Sequence, residues 1–278
     1  MHIRLLSLAA LSLAHMTFAD VVNINPTKDN TIYQAANGGI SNGRGDYLFT
    51  GVTRTGVIHR ALLAFNIAAN VPAGAQITDA TLYLTMSRWA GGFPSAYLHA
   101  LASDWGEGTS NATGEEGRGT TATVGDATWT KAFHGTPGVL WSTPGGSFLP
   151  AVDAQIDIDG GVTTVFAITS PALISRVQSW QANPASNFGW IITGMEEFPI
   201  TSIRFNSLQN PVAASRPRLK ITYHCPADFN NNGTIDFFDY LDFVDAFSNN
   251  LPEADFNGDS LIDFFDYLDF VDRYSTGC

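Results

Sequence analysis

The chain is short of cysteine, of base and of long apolar runs, and each shortage narrows what it can be. It has 278 residues but only two cysteines, so no disulfide-dense framework holds it together. Lysine and arginine number 14 against 26 acidic residues, for a net charge of −12. A nucleic-acid reader carries a basic face, and this balance argues against one. The longest apolar run, residues 5–14, falls well short of the roughly 20 residues that a bilayer-spanning helix needs. It follows His2-Ile3-Arg4 and precedes Thr17-Phe18-Ala19, the three-part form of a secretory leader. Residues 1–19 are therefore expected to be a signal peptide, with no membrane span elsewhere and a secreted or cell-surface location. His59, His99, His134 and His224 are isolated, without the paired spacing of a zinc site. No Gly-x-Ser-x-Gly, phosphate loop or cysteine nucleophile occurs. Asp104, Glu107, Glu115 and Glu116 lie close in sequence, but among turn residues, where such side chains cap backbone N–H groups. No catalysis is expected.

What the chain does have is order at its end. Residues 225–278 hold one unit written twice: residues 228–239 return as 255–266, and 235–245 and 262–272 both read IDFFDYLDFVD. Oxygen-bearing residues fall at positions 1, 3, 5, 9 and 12 of a twelve-residue frame, and position 7 offers its main-chain carbonyl. In the first copy these are Asp228, Asn230, Asn232, Thr234 (carbonyl), Asp236 and Asp239; in the second, Asp255, Asn257, Asp259, Leu261 (carbonyl), Asp263 and Asp266. This is the ligand order of an EF-hand loop, so two calcium ions are expected. Position 6, where the turn wants positive φ, is Gly233 in one loop and Ser260 in the other, with Gly258 two residues earlier. The second loop is expected to be the more strained. Aspartate rather than glutamate at position 12 asks each loop to draw in closer. After each loop, Phe237, Leu241 and Val244, then Phe264, Leu268 and Val271, recur at helical spacing, predicting a helix after each loop. Twelve acidic residues stand against the single base Arg273 in this stretch, so almost all of the net charge is here.

Loop then helix, twice, with aspartate at position 12, resembles the dockerin module of bacterial extracellular polysaccharide-degrading systems. The resemblance covers 225–278 and implies a protein partner of cohesin type, docked on a pseudo-two-fold face built from the residues just before position 12. Here those are Phe237, Phe238, Phe264 and Phe265, more apolar than the hydroxyl pairs common in that family. They either dock a partner or pack the two helices together. Cys225 and Cys278 bracket the repeat. Export permits a disulfide between them, which would contribute on the order of 4 kcal/mol in a loop-entropy model.

Residues 20–224 show short alternating runs between Gly, Pro, Asn and Asp, at 61–67, 80–85, 162–168, 189–192 and 218–223. The expected fold is mainly β, a β-sandwich or jelly roll, followed by a small α-helical double EF-hand-like domain of dockerin type. One helix is predicted at 170–181, where Leu173, Ile174, Val177 and Trp180 share a face. Asp29-Asn30-Thr31-Ile32-Tyr33, Arg60 to Ile67, Asp104-Trp105-Gly106-Glu107-Gly108 and the closing Arg216 to Tyr223, in this order, resemble the DNRLRE-domain family of exported β-sandwich modules. That resemblance implies binding of a polysaccharide or matrix glycan without chemistry. All six tryptophans lie here. Trp105, Trp180 and Trp190 are expected in the core. Trp89, Trp129 and Trp141 fall in predicted loops and are the candidates for stacking on sugar rings. A structural cation held by Asp29, Asn30, Asp46 or Asp104 is a further possibility. The chain thus reads as an exported, non-catalytic, polysaccharide-binding or matrix-associated accessory protein. The alternatives are a cell-surface or matrix protein making protein contacts only, or a polysaccharide lyase or hydrolase.

Overall fold

The computed structural model describes residues 19–35, 38–159, 161 and 164–278. The expected leader lies, but for Ala19, outside the described residues. Along the chain run β1 (Asp20–Ile24), β2 (Lys28–Tyr33), β3 (Ile40–Ser41), β4 (Tyr47–Val52), β5 (Ile58–Ala64), β6 (Gln76–Trp89) and β7 (Ser95–Ala100). A long excursion carries only the short β8 (Thr120–Thr121), β9 (Lys131–Phe133) and β10 (Val139–Leu140). Then come β11 (Ala154–Asp157), β12 (Thr164–Ile168), α1 (Pro171–Ala182), β13 (Trp190–Gly194), β14 (Ile203–Asn206) and β15 (Arg218–His224). The chain closes with α2 (Phe237–Ser248) and α3 (Phe264–Thr276).

The strands pair antiparallel in two layers. One layer runs β1–β15–β6–β14, with β12 on the other edge of β6; the second runs β2–β5–β13–β7–β11. Strand β4 belongs to both. Residues 47–50 pair with β14, and Gly51 and Val52 cross to pair with His59 and Ile58 of β5. Gly51 makes the crossing at φ +86°, where a Cβ would lie 2.4 Å from the Thr201 carbonyl oxygen. Only glycine fits such a close approach.

Side-chain alternation along β5 explains why this part is mainly β and how its core is arranged. Ala61 and Leu63 point between the layers and join Leu82, Leu84, Met86, Trp190, Phe205 and Leu219 in one cluster. Leu62 and Ala64 point the other way and join Ile32, Trp105, Trp129, Trp141 and Ile191 in a second. The excursion between β7 and β11 therefore folds over the outer face of the second layer and gives it a core of its own. A strand buried on both faces reads as a continuous apolar run, as Ala61-Leu62-Leu63-Ala64 does.

Helix α1 lies where the spacing predicts. The Ser170 hydroxyl accepts from the Leu173 N–H at 3.0 Å, and Pro171 opens the helix, a favoured start because its missing N–H is an orphan anyway. Leu173, Val177 and Trp180 are buried. The two final helices form a third cluster around Phe243, Ala246, Ala254 and Phe270. A disulfide joins Cys225 and Cys278, with their Cα atoms 4.9 Å apart, and Cys278 packs into the interlayer core. Among the described residues no helix is long and apolar enough to cross a membrane.

Candidate metal centre and docking face

The two acidic loops take the same shape. In the first, Asp228 accepts from the N–H groups of Asn232 (2.9 Å) and Gly233 (2.8 Å), and Asn232 accepts from Thr234 N–H (2.8 Å). In the second, Asp255 accepts from Ser260 N–H (2.9 Å) and Asp259 from Leu261 N–H (2.8 Å). Asn230 and Asn257 each accept from the N–H two residues on. Such a chain of side-chain-closed turns brings oxygens at alternate positions toward one centre. Both loops need positive φ at positions 4 and 6: Asn231 (57°) and Gly233 (84°), then Gly258 (76°) and Ser260 (71°). Each loop owns one glycine for two left-handed positions, so the strain expected at Ser260 is matched at Asn231.

Position 12 ties each loop to its helix. Asp239 is fully buried and accepts from Asn230 N–H (3.0 Å) and Asp236 N–H (2.8 Å). Asp266, equally buried, accepts from Phe256, Asn257 and Asp263 N–H groups. Burial alone would raise the Asp266 pKa, but these backbone donors outweigh it and hold the carboxyl below its ordinary value. Asp236 and Asp263 are the helix N-caps, each forming a reciprocal capping box with the residue at position 12. Positions 9 and 12, expected as ligands, are thus also the residues that start the helix.

Two observations bear on whether a cation fits. Among the described residues no three His, Cys, Asp or Glu side chains come together as a metal set; the loops instead mix carboxylates with amide and main-chain oxygens, a hard-cation donor set. Asp255 Oδ1 is buried with no hydrogen-bond partner. An orphaned carboxylate oxygen at position 1 is what a calcium ion would complete.

The helices face each other about a pseudo-two-fold axis. The Phe243 and Phe270 rings stack with centroids 4.0 Å apart and 5° between planes. The Tyr240 and Tyr267 hydroxyls meet at 3.1 Å. Phe237 stacks on Tyr240 at 6.1 Å and Phe264 on Tyr267 at 6.0 Å. The helix expected after each loop is there, as α2 and α3, and what the structure corrects is the alternative that the phenylalanine pairs pack the two helices together. Phe237, Leu241, Phe264 and Leu268 lie on the exposed side, while Phe243 and Phe270 occupy the core. Each helix is apolar on two faces, and spacing alone does not say which one the partner helix takes. Phe237, Phe238, Phe264 and Phe265 are 61–65% exposed and stand outside the third cluster. The tyrosine pair at the centre of this face was missed, although Tyr240 and Tyr267 recur three residues after Phe237 and Phe264, the spacing of helical neighbours.

In the sandwich, Trp105, Trp180 and Trp190 are buried as expected. Trp129 and Trp141, expected on loops, are only 9% and 5% exposed and belong to the second core. Trp141 donates to the Thr128 carbonyl at 2.8 Å, and the Arg60 guanidinium lies 4.9 Å above Trp129. As sugar-stacking platforms these two are withdrawn, because the excursion that carries them folds down on the sheet. Trp89 is half-buried against the interlayer core. The four residues considered for a cation in this part are spread among separate bonds. Asp104 pairs with Lys28 at 2.5 Å. Asn30 accepts from Ser41 and Asn42. Asp46 engages Glu116 and Ser207 through its main chain. Asp29 accepts from Leu208 N–H at 2.6 Å, with burial, seconded by Glu107, raising its pKa to about 8.

No family model matches the chain, and no curated protein matches it.

Proposed function

We propose that this is an exported, non-catalytic accessory protein in which a calcium-folded tail docks the sandwich to a protein partner. The observation that carries the reading is the paired aromatic face of residues 237–241 and 264–268. Two copies of Phe-Phe-x-x-Leu stand exposed on either side of the Tyr240–Tyr267 contact. An exposed apolar patch of this kind marks an interaction site, and its two-fold repeat suits a partner of cohesin type that can be met in either orientation. Asp242, Asp245, Asp269 and Asp272 lie on the same helices, so the partner's rim would be basic. Calcium is the cofactor this reading requires, one ion per loop, held by the oxygens at positions 1, 3, 5, 7, 9 and 12. Without it, the carboxylates of each loop repel. The sandwich would be the part tethered, to a polysaccharide or extracellular matrix.

The test has two arms. Calorimetric titration of the calcium-free protein should give two ions per chain, falling to one in Asp228→Ala and in Asp255→Ala. A stoichiometry of zero would sink the metal reading. A cohesin-type domain should bind in calcium, release in chelator, and lose at least tenfold in affinity when Phe237, Phe238, Phe264 and Phe265 are all changed to serine. A second reading, a matrix protein making protein contacts only, is favoured by the burial of Trp129 and Trp141. It gains if the sandwich retains no glycan.

A further inference from the structure

The sandwich carries a cavity of about 600 Å³ that draws its lining from β2, from β5 and the turn before it, and from the excursion near Arg118. Tyr33 and His59 form its floor, 2% and 1% exposed, with ring centroids 4.7 Å apart. Ile40 and Val57 add apolar wall, and the exposed Arg54 and Arg118 stand at the rim. The size is that of a small-molecule site.

Three of these groups lack partners. His59 is 1% exposed and its ring makes no hydrogen bond, its Nδ1 being fully enclosed as that of His134 also is. Elsewhere in the sandwich arginine is used up. Arg44, Arg60, Arg88, Arg176 and Arg204 meet carboxylates, Arg216 donates to the Asn210 carbonyl, and Arg218 lies over Tyr83. Among the described residues Arg54 and Arg118 make no ion pair, hydrogen bond or ring contact, and both border this cavity. The carboxylates nearest Arg118 in sequence are committed elsewhere. Glu115 is held by Arg88 and Arg204, and Glu116 by Asn42 and the N–H groups of Asp46 and Tyr47. In a chain with 26 acidic residues, two guanidiniums left without a counterion on one cavity form a site for an anion from outside. Guanidinium suits a carboxylate, which it grips in a planar fork. The aromatic floor and the volume ask for a ring behind that carboxylate.

We propose that this cavity binds a carboxylate-bearing ring compound, its acid group on Arg54 and Arg118 and its ring over Tyr33 and His59. The site is independent of the tail, so its failure and that of the docking reading are separable. The test is ligand-observed NMR titration of the full chain with four probes: galacturonic acid and benzoic acid, and their neutral counterparts galactose and benzyl alcohol. The expected result is saturable binding of at least one acid and at least tenfold weaker binding of its neutral counterpart. Arg54→Ala/Arg118→Ala should lose at least tenfold in affinity while its tryptophan fluorescence and unfolding midpoint stay unchanged. Preference for galacturonate assigns an acidic sugar, and preference for benzoate an aromatic acid; either supports the site. Neutral probes binding as well as the acids, inorganic phosphate competing as well as either acid, undiminished binding in the double variant, or no binding of either acid would overturn it.

Discussion

Acid should unfold this sandwich through one histidine more than through any other. The His59 ring lies edge-on to Tyr33 and Phe49, with centroids 4.7 and 5.8 Å away, and no carboxylate reaches it. Burial therefore holds its pKa down at about 4, from 6.5. Because the folded value is the lower one, the unfolded chain takes up the proton first as pH falls. The histidine costs nothing above pH 6.5, and its penalty grows from there toward pH 4. Integrating the linkage between those two values gives about 3 kcal/mol lost between pH 7 and pH 4, a large share of a typical domain stability of roughly 5–15 kcal/mol. Urea unfolding followed by tryptophan fluorescence measures it, since all six tryptophans precede residue 225 and the tail is silent. His59→Leu, close in volume and without a charge to bury, is the comparison. Carboxylates titrate alike in both proteins and cancel. The wild type should lose about 3 kcal/mol more than the variant over this interval. A difference below roughly 0.5 kcal/mol, the scatter of surface effects, would refute the claim that an unpartnered imidazole is buried here.

Asp29 predicts the opposite slope: its folded pKa of about 8 lies above the unfolded 3.8, so stability falls as pH rises through that window, by up to about 1.4 kcal/mol per unit. Asp29→Asn, which keeps an acceptor for Leu208 N–H, should flatten this limb in the same urea assay. Trp129→Ala should cost about 3–5 kcal/mol and lower the unfolding midpoint; a neutral result would show the ring to be a surface platform after all. Ser260→Gly relieves a side chain held at φ 71° and should raise the melting midpoint of the tail, followed by far-ultraviolet circular dichroism with calcium added, by the equivalent of up to about 1 kcal/mol.

How much of this was legible in the sequence depended on whether the signal was local. Helix α1 was, because Ser170, Pro171 and the Leu173–Val177–Trp180 stripe are all neighbours in sequence. So were the apolar strands β5, β13 and β15, the cysteine pair and the shape of the acidic loops, whose turns close between residues two to five apart. What failed was long-range. Trp129 and Trp141 sit among glycines and threonines that read as open loop, and only folding the excursion back onto Ile32, Leu62 and Ile191 buries them. The cavity was equally hidden, since Tyr33, Arg54, His59 and Arg118 come from separate segments. Nor does spacing reveal that Arg54 and Arg118 go unpaired, because that depends on where every other carboxylate ends up. On α2 and α3 the local signal was present but ambiguous, with apolar residues on two faces and one partner helix to choose between them.

The repeat itself bears on which of those faces the proposed partner would meet. The two loops have diverged at positions 4 to 7, Asn-Asn-Gly-Thr against Gly-Asp-Ser-Leu, while the eleven residues that follow are the same in both copies. Duplication too recent to have drifted would have left the loops alike as well. Folding demands agreement at Phe243 and Phe270, which stack, and at the two capping boxes. It makes no such demand on Phe237, Phe238, Leu241, Phe264, Phe265 and Leu268, all exposed and free to change one copy at a time. Exposed phenylalanine is also costly to keep, since apolar surface invites aggregation. That both copies retain it, letter for letter, on either side of the Tyr240–Tyr267 contact is the pattern that the proposed docking face would require.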